Sequence, residues 1–150
     1  MSEAVVVDST CLIGLERIGQ LDILPQVFSP VFIPPAVAEE VSLYMSWLTL
    51  ETPNNQALIV TLKTQLDPGE SEAIALAVER PDTFIILDDL SAREVALQLN
   101  LKVIGTVGLL LKAKRRGVVP EIKPLLQALE DANFRLSEAL VYKALQLAGE

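Results

Sequence analysis

Ala4-Val5-Val6-Val7-Asp8-Ser9-Thr10-Cys11-Leu12-Ile13 decides the fold. Three consecutive β-branched valines read as a buried strand. The strand stops at an acid, and apolar Leu12, Ile13 and Leu15 then open a helical pattern. A carboxylate where a buried strand turns into a helix sits at the carboxyl edge of a sheet. In open α/β folds that is the edge where ligands bind.

Working outward, the composition narrows the chemistry. The chain has 150 residues, of which 51% are hydrophobic, which fits one ordinary domain over residues 1–150 with a buried core. No apolar run approaches the ~18 residues of a membrane span. Met1-Ser2-Glu3 lacks the basic start of a signal peptide, so the expected location is cytoplasmic with no membrane partner. The single cysteine, Cys11, lies in an apolar stretch and reads as a small core residue. With no histidine in the chain, Ser-His and Cys-His catalysis and histidine-ligated metals are excluded. Acid–base or metal chemistry must therefore use carboxylates, and oxygen-only sites suit Mg²⁺ or Mn²⁺. The net charge of −8 repels a polyanion unless bases cluster locally or cations bind. The cluster available is Lys112, Lys114, Arg115 and Arg116, which can draw in a phosphodiester or simply complement a helix end.

The rest of the chain alternates strands and helices. Cys11 to Leu24 reads as one helix, or two broken near Gly19. Val31-Phe32-Ile33 is a second strand. Pro34-Pro35 starts a helix whose stripe is Val37, Val41, Tyr44, Met45 and Leu48. Ala57 to Leu62 reads as a weak edge strand. Asp67-Pro68-Gly69-Glu70 begins a helix that runs to Arg80. Thr83 to Leu87 and Leu101 to Ile104 are strands. Ser91-Ala92-Arg93-Glu94 has capping-box spacing, and Thr106 to Arg116 is an apolar helix ending in the basic cluster. Glu121–Leu129 and Ser137–Ala148 are two amphipathic helices joined around Asn133-Phe134. The pattern implies a mostly parallel sheet covered on both faces.

Five acids fall at strand ends or first helical turns. Asp8 ends the first strand and can also cap the helix after it. Counting about 100° per residue, Glu39 points away from the apolar stripe and Glu40 lies on its flank. Glu70 shares a face with Ala73, Ile74 and Ala77, while also completing an aspartate capping box with Asp67. Glu72 points away and reads as solvated. If Ser91 caps its helix, Asp88 and Asp89 are free of capping duty, and two adjacent acids at a strand end favour a cation or a raised pKa.

In order, strand-Asp-Ser-Thr, Pro-Pro-Ala-Val-Ala-Glu-Glu-Val, Gly-Glu-Ser-Glu-Ala-Ile-Ala-Leu-Ala and Ile-Ile-Leu-Asp-Asp resemble the PIN-domain superfamily. The further runs Asp-Asp-Leu-Ser-Ala-Arg-Glu-Val-Ala and Val-Ile-Gly-Thr-Val-Gly-Leu-Leu-Leu resemble one largely uncharacterised prokaryotic branch of it. The resemblance covers nearly the whole chain. It implies an α/β, three-layer sandwich: a central, mostly parallel sheet flanked by helices, with two C-terminal helices. It implies an acidic pocket that holds Mg²⁺ or Mn²⁺ and cleaves single-stranded or structured RNA. Toxins of toxin–antitoxin pairs are the best-known prokaryotic members, which implies a small antitoxin protein as partner.

Position by position, the resemblance puts Asp8 as the first acid and Thr10 as the substrate-facing hydroxyl beside it. Glu40 is the second acid. Glu70 is the third, where most members carry Asp, and Asp89 is the fourth with Asp88 next to it. The added methylene at Glu70 matters because metal geometry is sensitive to such a displacement. The basic residues Lys112, Lys114, Arg115 and Arg116 are the expected substrate-attracting set. Two C-terminal amphipathic helices suggest a homodimer through a helical face. A catalytically silent PIN-like module that binds RNA or a partner protein is the main alternative. A haloacid-dehalogenase-like phosphatase fits less well, since Thr10 stands where its second Asp is wanted. A receiver domain would place its acid pair beside the first strand.

Overall fold

A computed structural model describes residues 2–150. Five strands, β1 (Glu3–Val7), β2 (Phe28–Ile33), β3 (Leu48–Leu50), β4 (Phe84–Ile86) and β5 (Lys102–Ile104), form one all-parallel sheet in the order β3-β2-β1-β4-β5. β1 is central because its valines tolerate burial on both faces. Val5 and Val7 enter one core with Ile86, and Val6 enters the other with Ile85 and Leu87. Helices α1 (Ser9–Arg17), α2 (Ile23–Val27), α7 (Thr106–Arg115), α8 (Lys123–Asp131) and α9 (Glu138–Ala148) contribute to the first core. Helices α4 (Gln56–Leu62), α5 (Pro68–Glu79) and α6 (Leu90–Gln98) contribute to the second. The result is the expected three-layer α/β arrangement with its two C-terminal helices.

The chain builds outward from β1 through β2 to β3, then crosses to β4 and β5 on the other side. That reversal is a topological switch point, and the carboxyl ends of β1 and β4 border it.

Three elements differ from the sequence reading. The helix after Pro34, α3 (Pro35–Val41), stops at Ser42, whose φ is +51°. Tyr44 is 95% exposed and Leu48 belongs to β3, which pairs with Val31. Ladder bonding to β2 outweighs the helical spacing that included both residues. Ala57 to Leu62 is helical rather than an edge strand. Asn55 caps α4 by accepting from the Leu58 N–H at 3.0 Å, and Ile59 and Leu62 face the second core. The helix after β4 starts at Leu90, with Asp89 rather than Ser91 as its N-cap.

Candidate active site

The acidic edge begins with the end of β1. The Asp8 N–H still bonds to Ile86 O at 3.3 Å, which ties the residue to the neighbouring strand. Its side chain then caps α1, accepting from the Ser9 N–H at 2.8 Å. Asp8 is only 4% exposed. Burial pushes its carboxyl up to about 7, and the nearby charges of Glu70, Asp67 and Glu40 push the same way.

Glu40 enters from α3, whose start follows β2 directly. Val37 is buried and fixes the rotation of this short helix. Glu39 faces solvent, as its phase requires, while the Ser9 hydroxyl donates to Glu40 Oε2 at 2.8 Å. Ser9, next to Asp8, thus links the end of the first strand to α3.

Glu70 arrives on the first turn of α5. Asp67 and Glu70 form the reciprocal capping box: the Glu70 N–H donates to Asp67 Oδ1 at 2.7 Å and the Asp67 N–H donates to Glu70 Oε1 at 3.3 Å. The capping role does not remove Glu70 from the edge. It is 8% exposed, and its carboxyl is raised to about 7 by burial, then by Asp67, Asp89 and Glu40. Gly69 explains how α5 comes so near. A Cβ there would collide with the Glu40 carboxylate and touch Asp8 Oδ1 at 3.4 Å. The two carboxylates therefore converge over a space kept open by the missing side chain.

The Asp88–Asp89 pair divides its work. Asp88 accepts from the Thr106 N–H at 2.8 Å and the Thr106 hydroxyl at 2.7 Å, supplying the cap that Gly105 cannot give α7. Burial raises its carboxyl, while the Thr106 bonds and the Arg93 charge oppose that rise. Arg93 also donates to Leu87 O at 2.9 Å, steadying the end of β4. Asp89 accepts from the Ala92 N–H at 3.0 Å, so the expectation that neither acid caps is corrected. Its charge is nevertheless among those that raise Glu70.

The structure thus gathers Asp8, Glu40, Glu70 and Asp89 with Asp67, and sets Asp88 beside them. Thr10 is exposed on the wall of an adjoining cleft of about 460 Å³, together with Asp88, Asp89, Arg17 and Arg135. The basic cluster is elsewhere. Lys112 and Arg116 bind Glu3 at 3.1 and 2.9 Å, and Glu3 begins β1 while Asp8 follows its end. Ala4 to Val7 lie between them, and the five steps from Glu3 to Asp8 span about 16 Å. Lys114 pairs with Glu150 at 2.9 Å, and Arg115 is exposed on the same last turn. The structure therefore sets Lys112, Lys114, Arg115 and Arg116 away from the acidic edge, where they complement the carboxyl end of α7 and Lys112, Lys114 and Arg116 pair with Glu3 and Glu150. Glu72 is not simply solvated either, since it accepts from the Ala36 N–H at 3.0 Å and caps α3.

Sequence reading missed Ser9, Asp67 as a site neighbour, and the arginines of the cleft. Ser9 was visible as a hydroxyl beside Asp8. Arg17 and Arg135 carried no local signal, because only the folded chain brings the end of α1 against the α8–α9 connection.

The donor chemistry at this edge fits a hard divalent cation. The donors are all oxygen, two are raised by burial and mutual repulsion that a cation would relieve, and Gly69 leaves the space between Asp8 and Glu40. Among the described residues no three acidic side chains stand close enough to cage one ion.

A family model described as a PIN domain matches residues 4–150. The chain belongs to the PIN-domain family. PIN domains are a nuclease-like superfamily whose members commonly bind RNA. No curated protein and no solved structure gives a significant match to this PIN domain. Among the described residues, no helix is long and apolar enough to cross a membrane.

Proposed function

We propose that this PIN domain is an endoribonuclease that hydrolyses RNA phosphodiesters with bound Mg²⁺ or Mn²⁺. The observation that carries the reading is the approach of Asp8 and Glu40 over Gly69 at the switch point of the sheet, with the charge of Glu70 close enough to raise Asp8. Asp8 and Glu40 would hold the cation, with Glu70 and Asp89 adding negative charge nearby. When bound, the cation supplies an activated water and offsets charge on the phosphoryl oxygens.

The chain's own residues do the rest. The Ser9 N–H orients Asp8 and the Ser9 hydroxyl orients Glu40. Asp67 fixes Glu70 through the capping box, so the longer third acid is placed by a helix terminus rather than by a flexible loop. Because the chain has no histidine, the proton acceptors at this edge are carboxylates. Thr10 faces the cleft where the strand next to the scissile phosphate would lie.

The same reading makes the chain the toxin of a toxin–antitoxin pair, restrained by a small antitoxin protein; an adjacent reading frame without any such partner counts against it. It also includes a homodimer through α9, where Leu140, Tyr142 and Leu147 are exposed. Light scattering that reads a monomer at tens of micromolar removes that part.

The test is single-turnover cleavage of a mixed RNA pool. Parent protein with Mn²⁺ or Mg²⁺ should cleave, and chelator should abolish it. Asp8→Asn should lose most activity and Glu39→Gln should match the parent. Cleavage that survives chelator, or that persists in Asp8→Asn, would falsify the mechanism. No cleavage under either metal, with RNA binding intact, would move the chain to the silent RNA-binding class.

A further inference from the structure

The cleft beside the acids has a wall that the reading above leaves without a role. It is lined by Thr10, Ile13 and Arg17 from α1, by Asp88 and Asp89, and by Asn133, Phe134 and Arg135 from the α8–α9 connection. Its volume, about 460 Å³, is in the range of small-ligand sites. Two acids and two arginines share its lining. Neither arginine forms an ion pair with a carboxylate among the described residues; Arg17 only donates to Ala132 O at 3.3 Å. The other basic residues singled out by sequence are at the far edge of the sheet and mostly paired.

We propose that Arg17 and Arg135 form a phosphate clamp that holds single-stranded RNA in this cleft, one step along the strand from the phosphodiester at the acidic edge. This rests on the ribonuclease reading. The acids repel the backbone of the very strand they are to act on, so a positive contact must stand close by without neutralising the metal site. A guanidinium suits this because its planar fork can take two phosphate oxygens and cannot lose its charge at neutral pH. The two arginines reach the cleft from opposite ends of the chain and are brought together by a fixed packing contact. Phe134 lies against Gly14 so closely that a Cβ there would meet its ring at 2.7 Å. The Asn133 turn, with φ at +68°, leads directly into Phe134 and Arg135. The α8–α9 connection is thus seated on α1 by an aromatic ring next in sequence to Arg135. Exposed Asn133 and Thr10 give the cleft neutral polar groups for the ribose or base of the held nucleotide.

The experiment separates binding from cleavage. A short fluorescein-labelled single-stranded RNA is titrated with the full chain in chelator, over a series of salt concentrations, and affinity is read by anisotropy. Arg17→Gln and Arg135→Gln should each weaken binding severalfold, and the double variant about tenfold or more at low salt. The slope of log affinity against log salt should fall by about 0.7 for each lost phosphate contact. Arg115→Gln, at the opposite end of α7, should leave both unchanged, and circular dichroism should show all variants folded. An unchanged affinity and slope in the double variant would overturn the clamp, as would a parent that fails to bind RNA. Arginine-dependent binding without cleavage under any metal would support the clamp while removing the nuclease reading. If the same slope change is seen equally with Arg115→Gln, the effect is one of net charge and the clamp is rejected.

Discussion

Asp8 titrates near about 3.9 in an unfolded chain, but in the fold burial and its acidic neighbours raise it to about 7. The folded state therefore holds a proton that the unfolded state releases. The stability that goes with this is fully present below about pH 4 and is lost as pH rises through 7. At about 1.4 kcal/mol per unit, the Asp8 shift alone costs the metal-free protein on the order of 4 kcal/mol at neutral pH. Glu70 contributes in the same direction. Thermal melts in chelator should thus show stability falling between about pH 4 and 7. Asp8→Asn keeps an N-cap acceptor and removes the charge, so it should flatten that fall and melt no lower than the parent at pH 7.5. A variant that melts well below the parent there would show that the Asp8 carboxylate is needed for the fold itself. At Gly69 the argument is steric. Gly69→Ala puts a methyl group where the Glu40 carboxylate lies; Glu40 can swing out, so we expect cleavage to fall by an order of magnitude or more while the melting temperature changes little.

Among the elements, the capping interactions separate what the sequence discloses from what it hides. Asp67-Pro68-Gly69-Glu70 was legible because every partner of its capping box lies within one turn. The β4–α6 junction was misread for the opposite reason. Ser91 and Glu94 have capping-box spacing, but Asp89 already reaches the Ala92 N–H and starts the helix two residues earlier. β2 starts at Phe28, three residues before the strand read from Val31, and Pro30 is accommodated where the β1–β2 register slips. In α4, β-branched Ile59-Val60-Thr61 suggested a strand, although Ile59, Leu62 and the Asn55 cap already had helical spacing. Glu79, which accepts from the Asn54 and Asn55 N–H groups at 2.7 and 3.1 Å, is a contact no local window could reveal. Asp89 allows the two roles of a cap and a site acid to be told apart. Asp89→Ala loses the cap and should cost about 1 kcal/mol as well as activity. Asp89→Asn retains the cap, so it should keep the parent's melting temperature yet lose most cleavage. If Asp89→Asn cleaves RNA like the parent, Asp89 is a cap alone.

On the scale of the molecule, charge is distributed along the strand axis. Carboxylates gather beyond the carboxyl ends of β1, β2 and β4, whereas Glu3 at the amino end of β1 is held low by its bonds to Lys112 and Arg116. Glu150 is likewise held near about 2 by the Ile122 N–H, with Lys114 and the Lys123 N–H adding to it. One end of the sheet is thus closed by internal ion pairs, and the other carries repulsion that a proton or an added cation offsets. On the proposed metal-dependent reading, this predicts a linkage between metal and fold. A cation that binds the folded edge and not the unfolded chain raises stability with its concentration, by about 2.7 kcal/mol at a hundredfold excess over its dissociation constant. Mg²⁺ or Mn²⁺ should therefore raise the parent's melting temperature progressively, most strongly near and above pH 7, where Asp8 and Glu70 lose their protons. In Asp8→Asn the rise should be small. In Glu3→Gln, which disturbs only the closed end, it should equal the parent's rise, whatever the starting melting temperature. Equal stabilisation of all three proteins by the metal would mean that the cation acts on overall charge rather than at the acidic edge.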